Sequence, residues 1–187
     1  MEIRLARDLQ QDSIVDGEGL RTVIWTQGCC HNCKGCHNPN THDFNGGYSV
    51  SVEEIEEKLL YIDEQDGITL SGGDPFFQAE ACADIANFAK MCGLNVWCYT
   101  GFTFEKLLFM SKNDNNIKHL LEAIDVLVDG KFILEKKSFD LSYRGSSNQR
   151  VIDVKESLKN EKVILFKGYN EIKTSRNLYE KKSYVYA

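Results

Sequence analysis

RTVIWTQGCCHNCKGCHNP, residues 21–39, starts as an apolar, β-branched run and ends with four cysteines inside eight positions. The run RTVIWTQG (21–28) reads as a buried β-strand, so the cysteines emerge at its carboxyl end. Two registers fit them. Cys30, Cys33 and Cys36 give C-x2-C-x2-C, the opening of a bacterial ferredoxin run, which needs a fourth cysteine and a proline close behind. Position 40 is Asn instead, and the next cysteine is Cys82. Cys29, Cys33 and Cys36 give C-x3-C-x2-C, complete with three ligands. Three thiolates on a four-iron cluster leave one iron open, whereas three cysteines with His31, His37 or His42 would close a zinc site. The loop alone leaves both readings standing.

Outward from this strand, apolar β-rich runs alternate with helical patterns. SVEEIEEKLLYID (51–63) reads as a helix, with Ser51 as N-cap and Glu54 completing a capping box. GITL (67–70) is a second strand running into Gly72 and Gly73. Residues 77–92 read as a helix with Ile85, Phe88, Ala89 and Cys92 on one face and Gly93 closing it. NVWCYTG (95–101) and AIDVLVDG (123–130) are a third and a fourth strand, with helical pieces at 103–110 and 115–123 between them. A helix near 154–160 precedes a short strand, KVILF (162–166). Such alternation implies βα units with right-handed crossovers. The turns SGGDP, YTG and VDGK then converge with the cysteine loop at one sheet edge, where α/β folds bind ligands.

The 187-residue chain is one domain by length, and it carries a net charge of −6 with acids and bases interspersed. That balance argues against a nucleic-acid surface, which shows a basic stripe. No run of about 18 uncharged apolar residues offers a membrane span. MEIRLARDLQQD lacks the apolar core of a signal peptide, so a cytoplasmic location is expected. An odd count of seven cysteines points to metal or redox chemistry rather than a disulfide framework. Cys82, Cys92 and Cys98 sit among apolar neighbours and read as packing residues; His119 reads as a surface residue. Residues 1–166 make the domain. The stretch 167–187, rich in Lys and Arg, reads as a solvated extension or a partner-contacting arm.

The cysteine spacing after the first strand, followed by GGDP after the second, resembles the radical S-adenosylmethionine (SAM) superfamily. Within it, DGEGLR (16–21), QGC…CKGCHNP (27–39), LSGGDPF (70–76), YTGF (99–102), VLVDGKF (126–132) and YRGSSNQRVIDV (143–154) are similar to the activating proteins of anaerobic ribonucleotide reductase. The similarity runs from about residue 12 to 165, with its motifs in family order.

That resemblance implies an α/β fold: a partial, open (β/α) barrel with a mainly parallel sheet of about five to six strands. It implies that Cys29, Cys33 and Cys36 bind a 4Fe–4S cluster and that SAM chelates the fourth iron. Cys30 is then a small buried residue beside the cluster, or else a register-shifted ligand or a redox liability. Gly72 and Gly73 let the backbone approach SAM, and Asp74 pairs with its ammonium. Asn38 lies next to the cofactor or serves as a turn residue before Pro39. Thr100, Asp129 and Lys131 match positions near the SAM carboxylate or ribose; Asp129 and Lys131 could equally form a surface pair. Some relatives bind a monovalent cation through an aspartate before this threonine, but here that position is Tyr99. Arg144 binds a carboxylate or the partner's backbone, or caps the sheet. The implied activity is that of an oxidoreductase that generates a glycyl radical. Flavodoxin or ferredoxin supplies an electron, SAM yields a 5′-deoxyadenosyl radical, and a glycine of the reductase large subunit loses a hydrogen atom. A homodimer is a further implied association. The alternatives are a radical SAM enzyme acting on a small molecule, of the deazaguanine-synthase type, and a non-enzymatic iron–sulfur carrier or zinc module.

Overall fold

The computed structural model describes residues 1–170. Its strands are β1 (Glu2–Leu5), β2 (Gln10–Ser13), β3 (Arg21–Thr26), β4 (Tyr48–Ser51), β5 (Gly67–Gly72), β6 (Asn95–Tyr99), β7 (Val126–Asp129) and β8 (Arg150–Asp153). Every residue of β3 is buried, as a continuous apolar run in the middle of a covered sheet should be. Parallel ladders join β3 to β5, β5 to β6 and β6 to β7. These four strands are the ones expected from the sequence, and their carboxyl ends carry the cysteine loop and the three glycine turns.

The sheet is larger and less parallel than expected. It has eight strands in the order β4-β1-β3-β5-β6-β7-β8, with β2 also beside β3, and β4, β1, β2 and β8 all pair antiparallel. Two strands share the outer edge of β3: β1 meets its carboxyl end at Leu5↔Thr26, and β2 its amino end at Ser13↔Arg21. Both strands are short, and their outward residues are polar or charged. Glu2 and Arg4 alternate with buried Ile3 and Leu5, so a charged, half-buried strand resembles a polar leader in sequence. The strand expected at 162–166 is reduced to one bridge, Ile152↔Leu165.

The helices are α1 (Val52–Leu60), α2 (Ala79–Met91), α3 (Phe104–Met110), α4 (Asn115–Ala123) and α5 (Val154–Lys159). Side-chain caps start four of them: Ser51, Thr103, Asp114 and Asp153 accept hydrogen bonds from the backbone N–H groups of the first turn. The capping box of α1 is half-made, because Glu54 turns away to pair with Lys58 at 2.8 Å. A 3-10 turn, Pro75–Gln78, delays α2 to Ala79. Cys82 and Cys98 are buried as expected, but Cys92 is exposed. It lies just past the end of α2, where the helical phase that placed it on the inner face no longer applies.

All five helices contribute to one apolar layer on a single face of the sheet, where they meet Ile24, Ile68, Leu70, Val96, Cys98 and Leu127. The alternate residues point the other way. Trp97, Val126, Val128 and Val151 form a second cluster, covered by Tyr143, Phe166 and Tyr169. Arg21 is fully buried at the amino end, donating to Thr69 Oγ1 (2.7 Å), Asn95 Oδ1 (2.8 Å) and the Glu18 carbonyl (2.9 Å). Burial lowers its pKa to about 10. The arginine that ends DGEGLR is therefore placed to hold the sheet's amino end together. Among the described residues, no helix is long and apolar enough to cross a membrane.

Candidate cluster and cofactor site

The site is built where three turns interlock. After β3 the chain passes Gly28, whose φ of 101° suits glycine, and enters the cysteine loop. The loop is clamped at its base: Gly28 N–H donates to the Thr41 carbonyl (2.8 Å) and Cys29 N–H to the His42 carbonyl (3.1 Å). The GGDP turn docks on the same residues, with Gly73 N–H donating to the Thr26 carbonyl (2.7 Å) and Asp74 N–H to the Gly28 carbonyl (3.0 Å). A Cβ on Gly73 would overlap the Gly28 carbonyl, and one on Gly101 would overlap the His31 ring. Glycines are required here because the turns touch.

Cys29, Cys33 and Cys36 line one cavity together with Asn38, Gly72, Gly73, Thr100, Gly130 and Gln149. Cys30, expected to be buried beside the cluster, is instead exposed and is not part of that lining. Burial pushes the Cys29 thiol up to about 11; a backbone hydrogen bond at His31 opposes the shift, and the negative fields of Asp74, Cys33 and Cys36 add to it. A cation that displaces the proton is what would make this thiol a thiolate. Asn38 N–H points at Cys36 Sγ (3.4 Å), the kind of contact that tunes a thiolate ligand. The Asn38 carbonyl accepts from Thr41 Oγ1 (2.8 Å), so this residue serves the turn as well as the cavity.

The donor set fits an iron–sulfur cluster. It consists of three soft thiols in a wall that also holds His31, His37, His42 and four glycines. His31, a possible fourth ligand of a closed zinc site, has its Nε2 committed to Asp74 Oδ2 at 2.6 Å. Among the described residues, no three His, Cys, Asp or Glu side chains converge on one metal ion.

Two expected cofactor contacts face elsewhere. Asp74 is 1% exposed. Its Oδ1 accepts from Phe76 N–H (3.0 Å), and its Oδ2 meets His31 Nε2, Thr100 Oγ1 (2.8 Å) and Gly101 N–H (2.9 Å). The carboxylate expected to hold the SAM ammonium is thus saturated by protein donors and ties all three turns together. Asp129, equally buried, accepts from Phe104 N–H (2.8 Å) and pairs with Arg150, whose Nε lies 3.0 Å from Oδ1. The surface pair with Lys131 is not formed: Lys131 Nζ reaches the His31 carbonyl at 3.3 Å.

Sequence reasoning missed His31 as a link and Gln149 as a wall residue. Gln149 Oε1 accepts from Gly145 N–H (2.9 Å) and Ser146 N–H (3.1 Å), while its Nε2 donates to the Gly130 carbonyl (3.0 Å). It joins RGSSNQ to the VDGK turn. The signal was present, since Gln149 ends RGSSNQ, but nothing in the sequence says which turn its amide meets.

Comparison with known proteins supports an iron–sulfur cluster domain. The family model for the 4Fe-4S single cluster domain matches residues 15–152. The anaerobic ribonucleoside-triphosphate reductase-activating protein of Vibrio cholerae is 37% identical over 146 residues, covering 73% of this chain and 89% of that protein. Its counterpart in Haemophilus influenzae is 35% identical over 146 residues, with the same coverages. That of Escherichia coli K12 is 33% identical over 147 residues, covering 74% and 91%. Among solved structures, QueE from Escherichia coli shows a TM-score of 0.45 at 16% identity, over 55% of this chain and 54% of that one. The chain belongs to the family of anaerobic ribonucleoside-triphosphate reductase-activating proteins.

Proposed function

We propose that the protein is an activase that installs a glycyl radical on anaerobic ribonucleoside-triphosphate reductase. Cys29, Cys33 and Cys36 would hold a 4Fe–4S cluster, with SAM on the fourth iron. The observation that carries this reading is the sorting of the four clustered cysteines: three face one cavity at the carboxyl edge of the parallel strands, and Cys30 lies outside it. The names of the relatives favour the reductase over a small-molecule substrate. When bound, the cluster and SAM supply one-electron cleavage of a sulfonium C–S bond, giving methionine and a 5′-deoxyadenosyl radical that takes one hydrogen atom from a glycine Cα.

The chain's own residues position and shield. Gly72 and Gly73 present backbone to the cofactor without side chains in the way. Asn38 directs its N–H at Cys36 Sγ, and Thr100 and Gln149 complete the wall. Asp74 acts here by fixing the turns, and Asp129 by fixing the start of α3. Lys131, exposed and bound to the His31 carbonyl, is near enough to the loop to serve a cofactor carboxylate. The scheme asks no side chain to act as a general base, so pre-organisation and exclusion of water are the protein's contribution. The electron comes from a flavodoxin- or ferredoxin-like donor, and the setting is the cytoplasm. The open mixed sheet is read as part of a (β/α) barrel whose missing side admits a macromolecule.

The test is anaerobic reconstitution of the wild type, Cys29→Ala and Cys30→Ala, with iron and sulfide content and 5′-deoxyadenosine from SAM plus strong reductant as readouts. Wild type and Cys30→Ala should hold a full cluster and form the nucleoside; Cys29→Ala should do neither. A wild type with a full cluster that forms none, even with the reductase present, sinks the radical reading.

A further inference from the structure

Arg144 carries buried hydrogen-bonding capacity that the described residues leave unused. The residue is 8% exposed, yet only Nη1 is bonded, donating to the Gln149 carbonyl at 3.0 Å; Nε and Nη2 are buried without a partner. A desolvated cation with unmade hydrogen bonds is costly, and it is retained where something else supplies acceptors. Its position indicates what that is. Arg144 lines a cleft of about 500 Å³ together with Ile14, Val15, Asp16, Tyr99 and Tyr143. Tyr99 and His37 also line the thiol cavity, so the cleft adjoins it, but Arg144 itself is not among the cavity's lining residues. Ile14 and Val15 are each 70% exposed at the cleft, an apolar edge that suits a macromolecular ligand.

We propose that this cleft receives the glycine-bearing segment of the reductase in extended form, and that Arg144 donates Nε and Nη2 to its main-chain carbonyl oxygens. The proposal rests on the activase reading above and names how its substrate is held. A peptide fits better than an anion. Asp16 lines the same cleft, so a carboxylate would meet repulsion there, whereas amide carbonyls offer acceptors without charge. A segment with a glycine at its centre can also lie closer to the cavity mouth than one with side chains. The planar fork of arginine suits acceptors spaced along a chain, which a lysine ammonium cannot match.

The experiment uses cluster-reconstituted full-length protein under anaerobic conditions, as wild type, Arg144→Lys and Arg144→Gln. Dissociation constants are measured for the reductase large subunit and, separately, for SAM. Cluster content and melting temperature serve as controls. Arg144→Lys keeps a donor for the Gln149 carbonyl, so it remains informative if the Gln variant folds poorly. The expected result is reductase binding weakened about 10- to 100-fold in Gln and less in Lys, as for lost hydrogen bonds to a charged group, with SAM affinity within about twofold. Unchanged reductase affinity in both variants overturns the proposal. So does a selective loss of SAM affinity, which would make Arg144 a cofactor residue. A wild type that binds SAM but not the reductase brings down this proposal together with the activase reading, an outcome distinct from a failure confined to the variants.

Discussion

Asp74 shows how a motif residue can be placed correctly by sequence and yet face the wrong way in the expectation. GGDP after a strand puts an acid at the carboxyl edge, and an ammonium-bearing cofactor is a natural partner for it. Its orientation, however, is decided by Thr100, Gly101 and His31, which lie far from it in sequence, and their donors take up the carboxylate. No local pattern encodes that convergence. It follows that Asp74→Ala should act on the fold before it acts on cofactor binding. The change strands the N–H groups of Phe76 and Gly101, the Thr100 hydroxyl and the His31 ring in a buried setting. A cost of about 3 kcal/mol is expected, a fall in Tm of roughly 6–12 °C for a chain this size, measurable by thermal denaturation of the cluster-free protein. A normal Tm with weakened SAM binding would return Asp74 to the cofactor.

At the scale of elements, the junction of α3, β7 and β8 rests on one arginine. Arg150, at the start of β8, pairs with Asp129 at the end of β7 and with Glu105 in the first turn of α3, where its Nη1 and Nη2 lie 2.9 and 2.8 Å from the carboxylate oxygens. That forked hydrogen bond lowers the Glu105 pKa from 4.5 to about 2. The folded value lies below the unfolded one, so the contribution is complete above pH 4.5 and fades as pH falls towards about 2. Glu105→Gln should therefore lower stability at neutral pH, by a modest amount because Glu105 is largely exposed and solvent-screened, and flatten the pH dependence of unfolding in that window. Denaturant titrations at several acidic pH values would show it; parallel pH profiles for the two proteins would remove Glu105 from the junction. The sequence made α1 to α5 and the parallel strands legible, because each carries a cap, a helical period or a continuous apolar run. It concealed β8, since RVID is four residues long and sits inside YRGSSNQRVIDV, a stretch read as a motif rather than as a strand. The Arg150 fork was hidden for the same reason.

For the whole molecule, the convergence of the cysteine loop with the glycine turns was readable because β3 delivers the one and parallel strands deliver the others to a common edge. The true width of the sheet was not, because its outer strands are short and pair antiparallel through contacts between distant segments. The boundary expected at residue 166 meets a similar difficulty. Residues 171–187 lie outside the described residues, but 167–170 lead straight back to the sheet. Tyr169 stacks on Phe166 with ring centroids 5.9 Å apart and approaches Tyr143 at 5.1 Å, over the Trp97 cluster. The Asn170 side chain then serves the outer edge of β8 as a neighbouring strand would: Oδ1 accepts from Val151 N–H (2.9 Å), and Nδ2 donates to the carbonyls of Val151 (2.8 Å) and Phe166 (2.9 Å). An edge strand left with open backbone groups is a liability, and here a side-chain amide covers it. Two shortened chains, ending at Phe166 and at Asn170, isolate this effect. The shorter should be less stable by about 4 kcal/mol, from three hydrogen bonds of about 1 kcal/mol each and an aromatic contact of similar size. Its Tm should fall by roughly 8–16 °C, and Asn170→Ala in the longer chain should reproduce about three quarters of that loss. If both chains unfold at the same denaturant concentration with the same slope, the domain ends at 166 and the Asn170 contacts add nothing to the stability of β8.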